Sequence, residues 1–382
     1  MSSIFVLSPV IRSIVHRITL TARACTGALM GLFILLVTSP MAMSQTLYPY
    51  YIYATSGFHY SAGVAANTAP GIVAFNLESL LIWCGTGGYV QTAIQEYPSS
   101  AGTVNTTSIP CTGSGGTGRI SVAYYTPSGG TPTFYAIGQP LNNGYHSEFT
   151  MMSSTDGVNW TSYQANVTCN GESDTSYDQG FGLNTFTPYS SGMSGTPGLA
   201  LAYSSVDCGN GGGPSVATST DGVNFTWQAV VSSTTMYDET SSWFESPAVW
   251  QWLQTAGGNN NLYVSYFNSS SQPVIAQSAD GVTWSSAVSG IGMFDRDAML
   301  LAHDDALWFG AQSYYSEENI WMAGTLDGTN FGYEDDDGGE HASAYNMGGV
   351  TTTSPVATEQ AGDYVVAFRG SNGDLYVSYT NE

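Results

Sequence analysis

The 382-residue sequence has no lysine, and its six basic residues are all arginines. Charged residues make up 9% of the chain, against roughly 25% in an average protein. All 29 acidic residues follow position 44, where only Arg119, Arg296 and Arg369 accompany them. The segment 45–382 therefore carries 3 − 29 = −26 with histidine neutral. Such a chain repels nucleic acid and anionic membranes, so both are excluded as partners. Its surface must be built from Ser, Thr, Asn, Gly and Tyr. With few ion pairs to disrupt, the protein is expected to tolerate an acidic environment, staying folded near pH 4.

No run is apolar enough to span a bilayer. The longest, at 27–37, follows Arg12, His16, Arg17 and Arg23 and precedes Ala42-Met43-Ser44. Positive flank, short apolar core and small-residue cleavage site predict a signal peptide over 1–44, leaving Gln45 as the first mature residue. An uncleaved anchor is the alternative. Cys25 precedes the apolar run, which does not suit a lipoprotein anchor. The expected location is extracellular or periplasmic, and the expected domain is a single unit over 45–382. There is no CxxC or CxxCH, no HExxH, no serine-hydrolase elbow and no phosphate loop, and His59, His146, His303 and His341 show no ligand-like spacing. Thiol redox chemistry, zinc ribbons and c-type haem are thus unsupported. Cys84, Cys111, Cys169 and Cys208 form an even set in an exported chain, which favours disulfides. Three pairings are open, and Cys84–Cys111 with Cys169–Cys208 needs the least topology.

Helical periodicity is also missing. In its place one phrase recurs: "STDGVNW" at 154–160, "STDGVNF" at 219–225, "SADGVTW" at 278–284 and "TLDGTNF" at 325–331. Asp156, Asp221, Asp280 and Asp327 lie 65, 59 and 47 residues apart, a loose period that indicates stacked supersecondary units. Asp-Gly between strand-like runs predicts a two-residue type I′ hairpin. Each box is preceded by a β-rich run such as "PSVATS" or "PVIAQS" and followed by an aromatic-led one, "NWTSYQ", "NFTWQAVV", "TWSSAVS" or "NFGYE". Two further strands stand upstream of most boxes. Four-stranded sheets repeated at this interval predict an all-β fold, a β-propeller. Four boxes, an earlier unit at 69–95 and a three-strand unit at 354–381 give six blades, or seven if 55–118 holds two. The N-terminal run "LYPYYIYA" at 47–54 is expected to complete the last blade and remove its free edge.

The units resemble the Asp-box, or bacterial neuraminidase repeat, propellers of the sialidase-like superfamily. That family's box reads Ser/Thr-x-Asp-x-Gly-x-x-Trp/Phe, whereas here Asp and Gly are adjacent in all four copies. The resemblance implies that the box lies on the outer edge of a blade, away from the ligand site. A catalytic Asp is normally unique, and this one is copied four times. Its expected role is to accept backbone N–H groups within its own turn. Trp160, Phe225, Trp284 and Phe331 are expected to pack between sheets. The sequons at Asn159 and Asn224 read as by-products of the repeat.

Propeller ligands bind at the channel mouth, near the starts of innermost strands. Aligning those starts places Arg119, Glu245, Arg296 and Asp297 at comparable positions, with Arg369 ending the next strand of the last blade. A bidentate guanidinium suits a carboxylate ligand, so Arg119, Arg296 and Arg369 are candidate ligand-binding residues. The resemblance implies an arginine triad, but the family's Arg-Ile-Pro motif is absent because "ISV" follows Arg119. Glu245 and Asp297 are a candidate acid and base or nucleophile for glycoside hydrolysis. The Tyr/Trp-rich runs "LYPYYIY", "SSWFE" and "SYY" offer sugar-stacking surfaces. Asp335, Asp336, Asp337 and Glu340, within "YEDDDGGEH" after the fifth unit's last strand, offer hard oxygen donors for calcium, the one cofactor the sequence suggests. The resulting expectation is a carbohydrate-recognising, lectin-like propeller whose partners are glycans or polysaccharide. A glycoside hydrolase on the same scaffold is the first alternative. A self-assembling surface protein is the second.

Overall fold

The computed structural model describes residues 64–96, 102–112, 118–142, 149–169, 172–173, 179–186, 196–205, 208, 213–233, 236, 246–270, 272–289, 291, 294–313, 319–334, 340–341, 345–350, 355–360 and 363–379. They form a six-bladed β-propeller. Blade 1 runs β1 (Gly71–Phe75), β2 (Glu78–Cys84), β3 (Tyr89–Glu96) and β4 (Val104–Pro110), from the inside out. Blade 2 is β5 (Ile120–Tyr125), β6 (Thr133–Gly138), β7 (Thr150–Ser154) and β8 (Thr161–Gln164). After β9 (Asn166–Cys169) and β10 (Glu172–Ser173), blade 3 is β11 (Gln179–Phe186), β12 (Gly198–Ser205), β13 (Gly213–Ser219) and β14 (Asn224–Val230). Blade 4 is β15 (Ala248–Gln251), β16 (Leu262–Phe267), β17 (Pro273–Ser278) and β18 (Ser285–Ser289).

Blade 5 opens with β19 (Phe294–His303), β20 (Ala306–Ser313) and β21 (Asn319–Thr325). A small ribbon of β22 (Tyr333–Glu334) and β23 (Glu340–His341) follows, and β24 (Tyr345–Val350) is the outer strand. Blade 6 is β25 (Val356–Gln360), β26 (Asp363–Arg369) and β27 (Leu375–Tyr379). The unit at 71–110 is one sheet, which settles the count at six rather than seven.

Middle strands are buried on both faces because each blade is sandwiched between two others. Hence β12 (GLALAYSS) and β16 (LYVSYF) are buried throughout. Outer strands, wet on one side, alternate instead, as β4 does. Six hydrophobic clusters result, one at each blade interface, blade 6 against blade 1 included. Inner strands β1, β5, β11, β15, β19 and β25 touch in cyclic order around the axis. The run 47–54, expected to close blade 6, lies outside the described residues, as does 1–44. The seam is nonetheless tied nearby. Leu375 N–H donates to Val64 O at 3.0 Å, and Ala66 N–H donates to Gly373 O at 2.9 Å.

Two expectations need correction. The boxes are not two-residue type I′ hairpins. Six residues, 155–160, separate β7 from β8, and in every box only the glycine has positive φ, from +72° to +78°. The Asp stays in the ordinary region because its carboxylate, rather than a primed turn, organises the loop. True primed turns occur at Asn76-Leu77 (φ 44° and 69°) and Asp304-Asp305 (φ 48° and 58°), joining the first two strands of blades 1 and 5. The second correction concerns "NFGYE". It is not the outer strand of blade 5, since β24 pairs with β21 there. The ribbon of β22 and β23 thus lies between β21 and β24 within blade 5, not between blades 5 and 6.

Both expected disulfides are present, Cys84–Cys111 and Cys169–Cys208. The first ties β2 to the end of β4. The second ties β9, which pairs in parallel with β14 as an extra strand of blade 3, to the loop after β12. No helix among the described residues is long and apolar enough to cross a membrane.

Candidate functional site

The four box aspartates share one hydrogen-bond pattern. Asp156 Oδ1 accepts the Ser154 hydroxyl at 2.9 Å and the backbone N–H groups of Val158 (2.9 Å) and Asn159 (2.7 Å). Its Oδ2 accepts Asn159 Nδ2 at 2.7 Å. Asp221, Asp280 and Asp327 repeat the Oδ1 set, with Asn224 and Asn330 again serving Oδ2. The side chain and backbone N–H of Asn159 hold the Asp156 carboxyl well below the usual carboxylate range. The backbone N–H groups of Thr283 and Val282 bring Asp280 down to about 2. Burial pushes Asp327 upward, but the N–H groups of Asn330 and Thr329 outweigh it and the carboxyl falls to about 2. Asp221 is lowered by the same balance.

Each box also docks on the preceding blade. Thr92 of blade 1 donates to Gly157 O at 3.0 Å, and Tyr163 of blade 2 donates to Gly222 O at 2.7 Å. The box aromatics join the same interfaces: Trp160 with blade 1, Phe225 with blade 2, Trp284 with blade 3 and Phe331 with blade 4. These groups are spent on architecture.

The axis has two faces. Inner strands begin at the start face and finish at the end face, where the first-to-second-strand turns and the four boxes lie. At the start face Arg119 is 4% exposed. Its guanidinium crosses the channel, donating from Nη1 to Ala298 O and from Nη2 to Pro247 O, both at 2.8 Å. It thereby links blade 2 to blades 4 and 5. Arg369, half-buried, donates from Nε to Ala66 O at 2.6 Å and braces the seam between blades 6 and 1. Arg296 and Asp297 lie on β19 toward the start face, as the alignment predicts, and their side chains are outside the described residues. Glu245, Asp335, Asp336 and Asp337 are outside them altogether, and Glu340 is described only as backbone of β23. The runs 47–53 and 241–245 also fall outside. Among the described residues no group of three or more His, Cys, Asp or Glu could hold a metal ion.

The channel between the inner strands encloses about 80 Å3, well below the roughly 300–1,000 Å3 of small-molecule pockets. It widens at the end face into a vestibule of about 250 Å3. The two share Asn184, Trp250 and Thr358 in their linings, so they adjoin. Half-buried Phe186 and Trp250 and the aliphatic Leu253 supply apolar wall; Asn184, Gln251 and Glu359 supply polar groups.

Several of these groups are held in place. Asn184 Nδ2 donates to Val249 O at 3.2 Å while its Oδ1 accepts Thr185 N–H at 2.8 Å. Thr358 Oγ1 accepts Ala74 N–H at 3.1 Å, and Gln251 Nε2 donates to Asn260 O at 3.2 Å. Trp252 Nε1 donates to Ala256 O at 2.8 Å and fixes the short 3-10 turn at the rim. The carboxylate of Glu359 stands exposed at the rim. An aromatic wall beside fixed amides and one carboxylate can grip a small polyhydroxylated ligand.

The sequence reading missed this site. Trp250 and Phe186 look like ordinary strand aromatics, and only closure of the ring turns blades 3, 4, 5 and 6 toward one another at this end.

No family model matches the chain, and no curated protein is similar to it in sequence. Solved structures share its fold. AofleA from Arthrobotrys oligospora superposes with a TM-score of 0.55 at 11% identity, over 87% of this chain and 91% of its own. The N224Q mutant of Aleuria aurantia lectin, solved with Fucalpha1-6GlcNAc, gives 0.50 at 11% identity, over 83% and 96%. Trypanosoma rangeli sialidase gives 0.49 at 11% identity, over 86% of this chain and 58% of its own. At these identities the likeness concerns the fold alone.

Proposed function

We propose that this is an exported, carbohydrate-recognising propeller that holds a sugar unit in the end-face vestibule. One observation carries the reading: the end-face vestibule is walled by Phe186 and Trp250 and edged by Asn184, Gln251 and Glu359. Trp250 and Phe186 provide ring faces for the C–H side of a pyranose. Asn184 and Glu359 provide a donor and acceptors for its hydroxyls. With about 250 Å3 the vestibule lies just below the roughly 300–1,000 Å3 of drug-sized ligand pockets, and its lining of five apolar and five polar residues suits a single sugar unit. The likeness to a lectin solved with Fucalpha1-6GlcNAc supports the reading only as far as the scaffold, since a shared fold hosts varied sites. Export is supported by the two disulfides and the signal-like segment 1–44.

The test is a glycan array on the mature protein, read for retained binding and for released sugar. Trp250→Ala should abolish retention while the protein stays folded by circular dichroism. Release of sugar, lost in Glu245→Gln or Asp297→Asn, would replace this reading with glycoside hydrolysis at the other mouth. Retention unaffected by Trp250→Ala would remove the vestibule from the account.

A further inference from the structure

Among the described residues the two faces of the propeller differ in net charge: the start face sets Asp295, Asp297 and Asp374 beside its three arginines, and the vestibule opens on the other, which carries acidic groups without an arginine. All three arginines of 45–382 belong to the start face. Arg119 precedes β5, Arg296 lies toward the beginning of β19, and Arg369 ends β26, whose last residues sit beside the beginning of β25. The end face holds Glu78, Asp304, Asp305 and Glu359 at its inner turns and the four box aspartates at its rim. Among the described residues it holds no lysine or arginine.

The box carboxylates stay ionised because backbone N–H groups stabilise their charge. A ligand approaching the vestibule therefore meets a net negative field, reduced at Asp304 where His303 Nε2 stands 3.4 Å away, which enriches cations and depletes anions near the mouth. The innermost member of that field, Glu359, is itself part of the vestibule edge, beside Thr358.

Resting on the carbohydrate reading, we propose that the vestibule selects glycan units bearing a protonated amine, such as a 2-amino-2-deoxyhexose, and rejects carboxylated ones. The amine would donate to the Glu359 carboxylate while the ring stacks against Trp250. A charge-assisted contact of this type is about twice as strong as a neutral one. A uronate or sialate placed there would face Glu359, and no arginine is among the residues that line the vestibule. Arg119 is committed to Pro247 O and Ala298 O, and Arg369 to Ala66 O.

The experiment is a calorimetric titration of the mature protein with three oligomers of equal length: glucosamine, N-acetylglucosamine and galacturonate. It is run at a pH that protonates the amine, at low and high salt. The glucosamine oligomer should bind about tenfold more tightly than its N-acetylated form, and the preference should shrink as salt screens the face. Galacturonate should not bind. Glu359→Gln should remove most of the preference. Glu78→Gln, outside the vestibule, should leave it nearly intact. Equal affinity for the amine and acetylated forms, or equal loss in the two variants, would overturn the proposal, the latter by showing attraction to the whole face rather than a site. Binding without an amine preference would sink this inference and leave carbohydrate recognition standing. Silence toward these oligomers together with an empty glycan array would sink both.

Discussion

Gly222 and Gly281 occupy the same place in two boxes and share nearly the same angle, φ +74° and +73°. Their surroundings differ. A Cβ on Gly222 would collide with the ring of Tyr135, whereas on Gly281 it would meet only Leu262 Cδ1 at 3.9 Å. Backbone strain, about 1–2 kcal/mol, is common to both alanine substitutions. The overpacking term, about 1–3 kcal/mol, applies to Gly222 alone. Gly222→Ala should therefore melt several degrees below Gly281→Ala, on the usual scale of about 2–4 °C per kcal/mol for mid-sized proteins. Equal melting temperatures would mean that the box does not press on the preceding blade.

The box carboxylates also set a pH dependence. Each is depressed below its unfolded value of about 3.9, so its contribution is complete above that value and disappears as pH falls through the folded one. With Asp280 and Asp327 near 2, the melting temperature should be flat down to about pH 4 and decline between about pH 4 and 2. The decline should be gradual, since these carboxylates are largely solvated. A scan from pH 7 to 2 checks this; unfolding at pH 5 would contradict it.

At the scale of elements, much was legible in the sequence. The box aromatics follow their Asp at a fixed offset, and that offset places all four at blade interfaces. Cysteine order was enough for the disulfides because each bridge closes within or beside one blade. Chain-entropy arguments give bridges spanning 27 and 39 residues a worth of about 3–4 kcal/mol each. Reduction should thus lower the melting midpoint clearly without dissolving the β signal.

Turn type was not legible. Asp-Gly is also the signature of a primed hairpin, and only the carboxylate's bonds to the two N–H groups beyond the glycine reveal the longer loop. Arg119 was legible as special but not in its role. A lone buried cation at an inner-strand start suits a ligand carboxylate equally well until Pro247 O and Ala298 O are seen to occupy it. Arg119→Leu should cost about 2–4 kcal/mol by orphaning those carbonyls. A variant as stable as the parent would contradict the bridging role.

The whole molecule is where sequence reading reaches least far, because a propeller's axis is assembled from six distant segments. Asn184, Trp250, Ala302 and Thr358 meet at the vestibule only after the ring closes. Trp250 packs against the clusters at two blade interfaces as well as lining the vestibule, and no local pattern distinguishes it from the other tryptophans. The placement of all three arginines of 45–382 on one face, and of the box carboxylates on the other, is likewise invisible until strand direction is known. Together they move the candidate site from the start-face mouth, where alignment put it, to the opposite end of the axis. A crystal structure of the mature protein with the tightest array ligand tests this most directly. The account predicts sugar density in the end-face vestibule, stacked on Trp250 and within hydrogen-bond reach of Asn184 and Glu359. Density at the start face beside Arg296 and Asp297, with the vestibule empty, would contradict it.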